Sequence, residues 1–171
     1  MVRAFFPGSF DPIHYGHVDI AKRAVRLFDE LIIAVYDKPL KSLLFSPEER
    51  IALARESFAD VPKIRVTGYS KLTVDACREE NALVIVRGLR VFSDFEFEFR
   101  MALANHRLAT DIESIALITH EEHTFISSST VKEIAMLDGD VSSMVPPHVH
   151  LALKNKISNM TNRSEPTPMR D

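Results

Sequence analysis

The sequence predicts an α/β protein on a doubly wound, five-stranded parallel sheet, and three observations carry that expectation. Apolar, β-branched or aromatic runs at residues 2–6, 31–36, 64–67, 82–87 and 113–118 are each followed by a segment with helical spacing, the βα alternation of a parallel sheet. The runs Leu31 to Tyr36 and Ala82 to Val86 are almost continuously apolar, as central strands covered on both faces must be. The third is length: 171 residues fit one such domain, because a core of this size buries roughly 70% of the surface the unfolded chain exposes.

Taken in order, the first strand leads into Pro7-Gly8-Ser9-Phe10-Asp11-Pro12-Ile13-His14-Tyr15-Gly16-His17, a loop punctuated by glycine and proline, with a helix expected from about Val18. After the second strand, Ser46-Pro47-Glu48-Glu49 combines an N-cap serine, proline at the first helical position and a capping-box glutamate, which predicts a helix over 47–58. Val74, Ala76 and Cys77 follow the third strand and read as one helix face. Ser93-Asp94-Phe95-Glu96 is a second capping box, so the strand-like alternation Phe95-Glu96-Phe97-Glu98-Phe99 is expected to be helix over 94–108. Beyond the fifth strand, Phe125-Ile126-Ser127-Ser128-Ser129 precedes Thr130-Val131-Lys132-Glu133, another capping-box pattern. A single domain is expected over 1–157. Residues 158–171, polar and carrying Pro166 and Pro168, are expected to be a disordered tail.

Composition excludes several classes. At 46% hydrophobic, 26% charged and net charge −3, the chain lacks the basic excess of nucleic-acid binders, so an anionic ligand must be held by a local cluster. No apolar run approaches the roughly 20 residues of a membrane span, and the N-terminus does not read as a signal peptide. With one cysteine, Cys77, no internal disulfide can form. A buried, inert thiol is expected, and the cytoplasm is the default compartment.

In open α/β sheets, ligands bind beyond the carboxyl ends of the strands, where helix starts aim N–H groups at the crevice. After strand one, His14 and His17 share a face of the first helical turn and can converge on one anion. Gly16 admits close backbone approach, and Ser9 adds a hydroxyl and an N–H. Surface polarity and metal ligation are the competing readings of the two histidines, although a third ligand is not identifiable. Lys38 and Lys41 follow strand two, and Arg87-Gly88-Leu89-Arg90 follows strand four, presenting guanidinium forks suited to phosphate oxygens. Ser127, Ser128 and Ser129 serve either as N-caps or, at the positive end of a helix, as a phosphate cradle. Phe92, Phe95, Phe97 and Phe99 are expected in the core or at a subunit contact.

These segments together resemble the phosphopantetheine adenylyltransferase family of the nucleotidyltransferase superfamily. The resemblance runs from Arg3 to about Ile157 and rests on residues 7–17, Glu-Glu-Arg at 48–50, Arg-Gly-Leu-Arg at 87–90, Asp-Phe-Glu-x-Glu at 94–98 and Ile-Ser-Ser-Ser at 126–129. It implies a Rossmann-like nucleotidyltransferase fold, a cytoplasmic homohexamer, Mg²⁺, and transfer of the adenylyl group of ATP to 4′-phosphopantetheine. The family pattern sets His17 at the reacting phosphorus. It sets ATP against Ser9, Phe10, His17, Gly88, Leu89, Arg90, Glu98, His123, Thr124, Phe125, Ile126, Ser127, Ser128 and Ser129, and the acceptor against Ser9, Lys41, Thr73 and Arg87. No protein metal ligand, nucleic acid or membrane is implied. Three positions depart from the pattern. Residue 14 is commonly threonine, residue 97 is often tyrosine, and arginine usually stands where His106 does, which makes His106 a candidate pH-dependent phosphate ligand beside Arg107. Other small-molecule nucleotidyltransferases, of nicotinate mononucleotide or cytidylyl type, and a silent nucleotide-binding regulator are the alternatives.

Overall fold

The structure, a computed structural model, describes residues 1–39 and 42–164, the side chains of 161–164 excepted. Among these residues the strands are β1 (Arg3–Gly8), β2 (Glu30–Tyr36), β3 (Ile64–Tyr69), β4 (Val84–Leu89) and β5 (Glu113–Ile118). The helices are α1 (Tyr15–Ala24), α2 (Pro47–Ser57), α3 (Thr73–Glu79), α4 (Phe92–Leu108), α5 (Ser128–Met136) and α6 (Pro147–Ser164), with a 3₁₀ turn at Glu121–His123. The sheet is five-stranded in the order β3-β2-β1-β4-β5, and every pairing is parallel.

Side-chain alternation along the central strands builds two cores. Ala4 and Phe6 of β1 with Leu31, Ile33 and Val35 of β2 join one buried cluster that includes Ile20 of α1, Leu53 of α2, Val131 of α5 and Leu153 of α6. Phe5, Ile32, Ala34 and Ile85 point the other way, onto Val74, Ala76 and Cys77 of α3. Helices therefore cover both faces, which is why β2 reads as an unbroken apolar run. Cys77 is fully buried, and burial pushes its thiol up to about 12, as expected of an inert core residue.

Local signals set most boundaries. The Ser46 hydroxyl accepts from the Glu49 N–H at 3.2 Å and Glu49 Oε2 accepts from the Ser46 N–H at 2.7 Å, with Pro47 opening α2. Two caps differ from the sequence reading. The N-cap of α4 is Val91, so Ser93 lies inside the first turn and the helix starts two residues earlier than expected, with the Asp94 carboxylate accepting from the Arg90 N–H at 3.0 Å. The N-cap of α5 is Ser127, whose hydroxyl accepts from the Thr130 N–H at 3.0 Å, so Thr130 is helical rather than a cap. The last helix, α6, runs past residue 157 to Ser164. Its buried apolar positions, among them Val149 and Leu153, anchor the helix, since packing of an apolar face supplies most helical stability. Residues 165–171 lie outside the described residues.

Two buried charges fasten the loop after β1. Arg50 of α2 is 0% exposed, and its Nη1 donates to the carbonyls of Ser9 and Tyr36 at 2.7 Å each, joining the ends of β1 and β2. Asp11 is 1% exposed. Its carboxylate accepts from the N–H groups of Leu44 and Phe45 at 3.0 and 2.9 Å and from Lys132 of α5 at 2.6 Å. Truncating Arg50 leaves two carbonyls without a donor and a cavity beneath the loop. Arg50→Ala is expected to cost about 3 kcal/mol, read as a lower urea midpoint with an unchanged m-value.

Candidate active site

Strand order reverses around β1: the chain steps outward through β2 to β3, then returns to the other side at β4. The crevice at such a switch point opens beyond the carboxyl ends of β1 and β4. Those ends carry the residues 7–17 and 87–90.

In that crevice His14 and His17 stack, with ring centroids 3.7 Å apart at 27°. His14 is the N-cap of α1, and its backbone N–H donates to His17 Nδ1 at 3.3 Å. A neutral His17 therefore carries its proton on Nε2. The Phe10 ring meets His17 edge-on at 4.9 Å and is itself 1% exposed, so it supports the histidine and offers no stacking surface. His14 is 4% exposed; burial, aided by Arg90 and His123, lowers its pKa to about 3. It is therefore neutral near pH 7 and cannot serve there as a second cation. Gly16 makes room for it, since a Cβ there would lie 3.1 Å from the His14 ring.

Arg87 and Arg90 are both held by carboxylates one helical turn apart on α4. Arg87 donates through Nε and Nη2 to Glu98 and through Nη1 to the Pro7 carbonyl at 2.7 Å. Arg90 donates through Nε and Nη2 to Asp94, each at 3.0 Å, and through Nη1 to the Ile126 carbonyl at 2.8 Å. Asp94 escaped the sequence reading as a site residue; its i, i+4 spacing from Arg90 was the available signal. At the start of α5, the Ser128 hydroxyl donates to the Pro12 carbonyl at 2.9 Å. With Ser127 used as the cap, two of the three serine hydroxyls are structural, and the helix end presents its N–H groups and positive dipole.

Two cavities open here. A polar one of about 300 Å³ is lined by Ser9, Phe10, His14, His17, Gly88, Arg90, Asp94, Thr119 and Ser127 to Ser129, among others. Thr119, 5% exposed, was not foreseen. A more apolar cavity of about 450 Å³ is lined by residues including Tyr36, Tyr69, Thr73, Leu89, Phe95 and Phe97. Pro7, Gly8, Ser9, Arg87 and Glu98 line both, so the Arg87–Glu98 pair forms part of a shared wall. Of the expected site residues, His123, Thr124, Phe125 and Ile126 line neither cavity: Ile126 is buried and Phe125 is 60% exposed. The Thr124 hydroxyl donates to the Glu121 carbonyl. Exposed Lys38, His106 and Arg107 also line neither, so the phosphate-ligand role expected of His106 has no cavity to act in within one chain. Lys41 lies outside the described residues.

The buried neutral His14 makes stability depend on pH. Its folded-state pKa of about 3 lies below the unfolded value of about 6.5. Stability is therefore complete above the unfolded value and is lost as pH falls through that interval, by up to about 1.4 kcal/mol per pH unit. Urea midpoints between pH 7 and 4 should fall more steeply for the wild type than for His14→Thr.

Residues 5–134 match the family model described as cytidylyltransferase-like. The chain is similar to phosphopantetheine adenylyltransferase of Herpetosiphon aurantiacus, 53% identical over 154 residues that cover 90% of this chain and 93% of the relative. It is 54% identical to that of Roseiflexus castenholzii over 154 residues, 90% and 96% of the two chains. To that of Methylococcus capsulatus it is 50% identical over 157 residues, 92% and 97%. At half identity along nearly the whole length of both partners, the chain belongs to the phosphopantetheine adenylyltransferase family.

Proposed function

We infer that the chain transfers the adenylyl group of ATP to 4′-phosphopantetheine, giving dephospho-coenzyme A and pyrophosphate. The observation that carries this reading is the pair of cavities with a shared wall. A polar cavity beside a histidine pair and a helix N-terminus suits a nucleoside triphosphate. The apolar one, with Tyr36, Tyr69 and Thr73, suits an extended pantetheine arm, whose phosphate would come to Ser9 and Arg87 where the two meet. Lys41 completes the acceptor's phosphate site on the family pattern.

The acceptor phosphate is already an anion near neutral pH, so no general base is required, and catalysis consists of positioning and charge stabilisation. One of its oxygens adds in line to the α-phosphorus as the bond to the β-phosphate oxygen breaks and pyrophosphate departs. His17, holding its proton on Nε2, donates to the non-bridging oxygens where charge accumulates. Arg90 and the start of α5 receive the departing pyrophosphate. No covalent intermediate on a serine or cysteine is needed.

Both arginines of the polar cavity are offset by carboxylates, and His14 is neutral, so these side chains do not match the charge of a triphosphate. This donor set fits a Mg²⁺ that arrives on the triphosphate, bound mainly by phosphate oxygens and water. Glu98, which lines the same cavity, would be the carboxylate to assist it. Among the described residues, no cluster of three His, Cys, Asp or Glu is arranged to cage a metal by itself. When bound, the ion would neutralise negative charge that builds up as pyrophosphate departs.

A homohexamer is the assembly this reading entails. Its support is α4, which buries no residue and leaves Phe92 86%, Leu103 57% and Leu108 57% exposed. Aromatic residues on such a face suit a contact with a second copy. The cytoplasm is the matching compartment; among the described residues no helix is long and apolar enough to cross a membrane.

Pyrophosphate release with ATP and 4′-phosphopantetheine tests the function, and a preference for nicotinate mononucleotide or choline phosphate would overturn it. In the same assay His17→Ala is expected to lower kcat roughly 100-fold to 1,000-fold with ATP affinity nearly unchanged; retention of a third of the turnover would remove His17 from its role. Light scattering at micromolar concentration should give a hexamer, and a monomer would refute the assembly.

A further inference from the structure

We propose that Asp94 is a positioning residue for adenylyl transfer, fixing the Arg90 guanidinium across the polar cavity. Asp94 Oδ2 accepts from both the backbone N–H and Nε of Arg90 at 3.0 Å, and Oδ1 accepts from Nη2 at 3.0 Å. On the far side Nη1 reaches the Ile126 carbonyl at 2.8 Å. The guanidinium is thus clamped between the first turn of α4 and the segment leading into α5, the two walls of the cavity that both Arg90 and Asp94 line. Three of its five N–H bonds are spent on this clamp, and the other two, one each on Nη1 and Nη2, form the edge available to a ligand's oxygens.

A lysine at position 90 would be a point charge without orientation. The fork has a plane, and Asp94 sets that plane because it holds the backbone and side chain of the same residue. Burial disfavours ionisation of Asp94, but hydrogen bonds from the side chain and backbone of Arg90 outweigh it and hold the carboxyl below its ordinary range. The pair therefore remains charged and closed through neutral pH. Asp94 also cancels the charge that Arg90 brings, so its effect on ATP in the ground state is a balance. Removing it frees a positive charge that attracts the triphosphate and loses the orientation that fits it. The transition state, with charge moving onto the departing pyrophosphate, depends on orientation more strongly than the ground state does.

The inference rests on the adenylyl-transfer reading, and a double-mutant cycle tests it. Asp94→Ala is expected to lower kcat about tenfold to a hundredfold while changing the Kd for ATP by less than about threefold, with the KM for 4′-phosphopantetheine unchanged. In an Arg90→Ala background the same substitution should have no further effect on kcat, because Asp94 acts through Arg90. Independent, multiplying effects would overturn the proposal, as would a lowered melting temperature with normal kcat, which would make Asp94 only a helix-start acid. Asp94→Asn, which keeps shape and one acceptor oxygen, runs the same cycle if the alanine variant does not fold. Wild-type turnover is measured first: its absence defeats the adenylyl-transfer reading and this inference together, whereas normal wild-type turnover with independent effects defeats this inference alone.

Discussion

The carboxylate of Asp11 holds the crevice together. Enclosed to 1% exposure, it takes two backbone N–H groups from Leu44 and Phe45 and the ammonium of Lys132. A buried carboxylate left unpaired costs several kcal/mol, so the three donors are drawn to one point. Each brings a different segment with it. Leu44 and Phe45 lead directly into Ser46, the cap of α2, and α2 returns Arg50 to the Ser9 and Tyr36 carbonyls. Lys132 brings in α5, whose Ser128 then bonds the Pro12 carbonyl. The loop after β1, the start of α2 and the start of α5 are thereby fixed relative to each other before any ligand arrives.

The charges that face the ligand are arranged differently from those beneath it. Arg87 and Arg90 stand at the mouth, each already in a two-point ion pair with Glu98 or Asp94, both pairs partly buried. Such pairing lowers the net attraction for an anion but removes the reorganisation that free, solvated arginines would need at the moment of reaction. His14 contributes to the same economy. Neutral and stacked on His17, it fixes that ring and adds no charge. Polar preorganisation, more than bulk positive potential, is what this crevice offers, in keeping with a chain of net charge −3.

Features set by neighbours along the chain were legible in the sequence. The βα alternation, the capping box at Ser46 and the central apolar run of β2 are local, and the structure follows them within about three residues, the largest offset being α1, which starts at Tyr15 rather than Val18. The segments 7–17 and 87–90 lie at strand ends and 127–129 at the start of α5, which is where the topology opens its crevice. Features that depend on residues far apart in sequence were not legible. Nothing near Asp11 points to Lys132, and nothing near His14 reveals that the fold encloses it and so strips it of charge. The serine run was legible as polar, but its division into a cap, a strut to Pro12 and a helix end required the tertiary contacts. His106 lies on the exposed last turn of α4 and lines neither cavity of one chain, a placement that residue type alone does not reveal.

Helix α4 contains a stretch whose alternation alone reads as strand. Phe95-Glu96-Phe97-Glu98-Phe99 alternates with period two, the strand pattern, yet it is helical, and on a helix that alternation scatters. Residues four apart align, so Asp94 and Glu98 share the face turned to the arginines, while Phe95 and Phe99 stack at 5.7 Å along the next, where both line the apolar cavity. No residue of the helix is buried, so its phenylalanines do not belong to either core of this chain. A helix that carried its apolar residues on one inward stripe would fill the space beside the sheet and close that cavity. By spreading them, the sequence keeps the cavity open, holds the helix to the end of β4 and the residue after it through Arg87 and Arg90, and leaves Phe92 exposed.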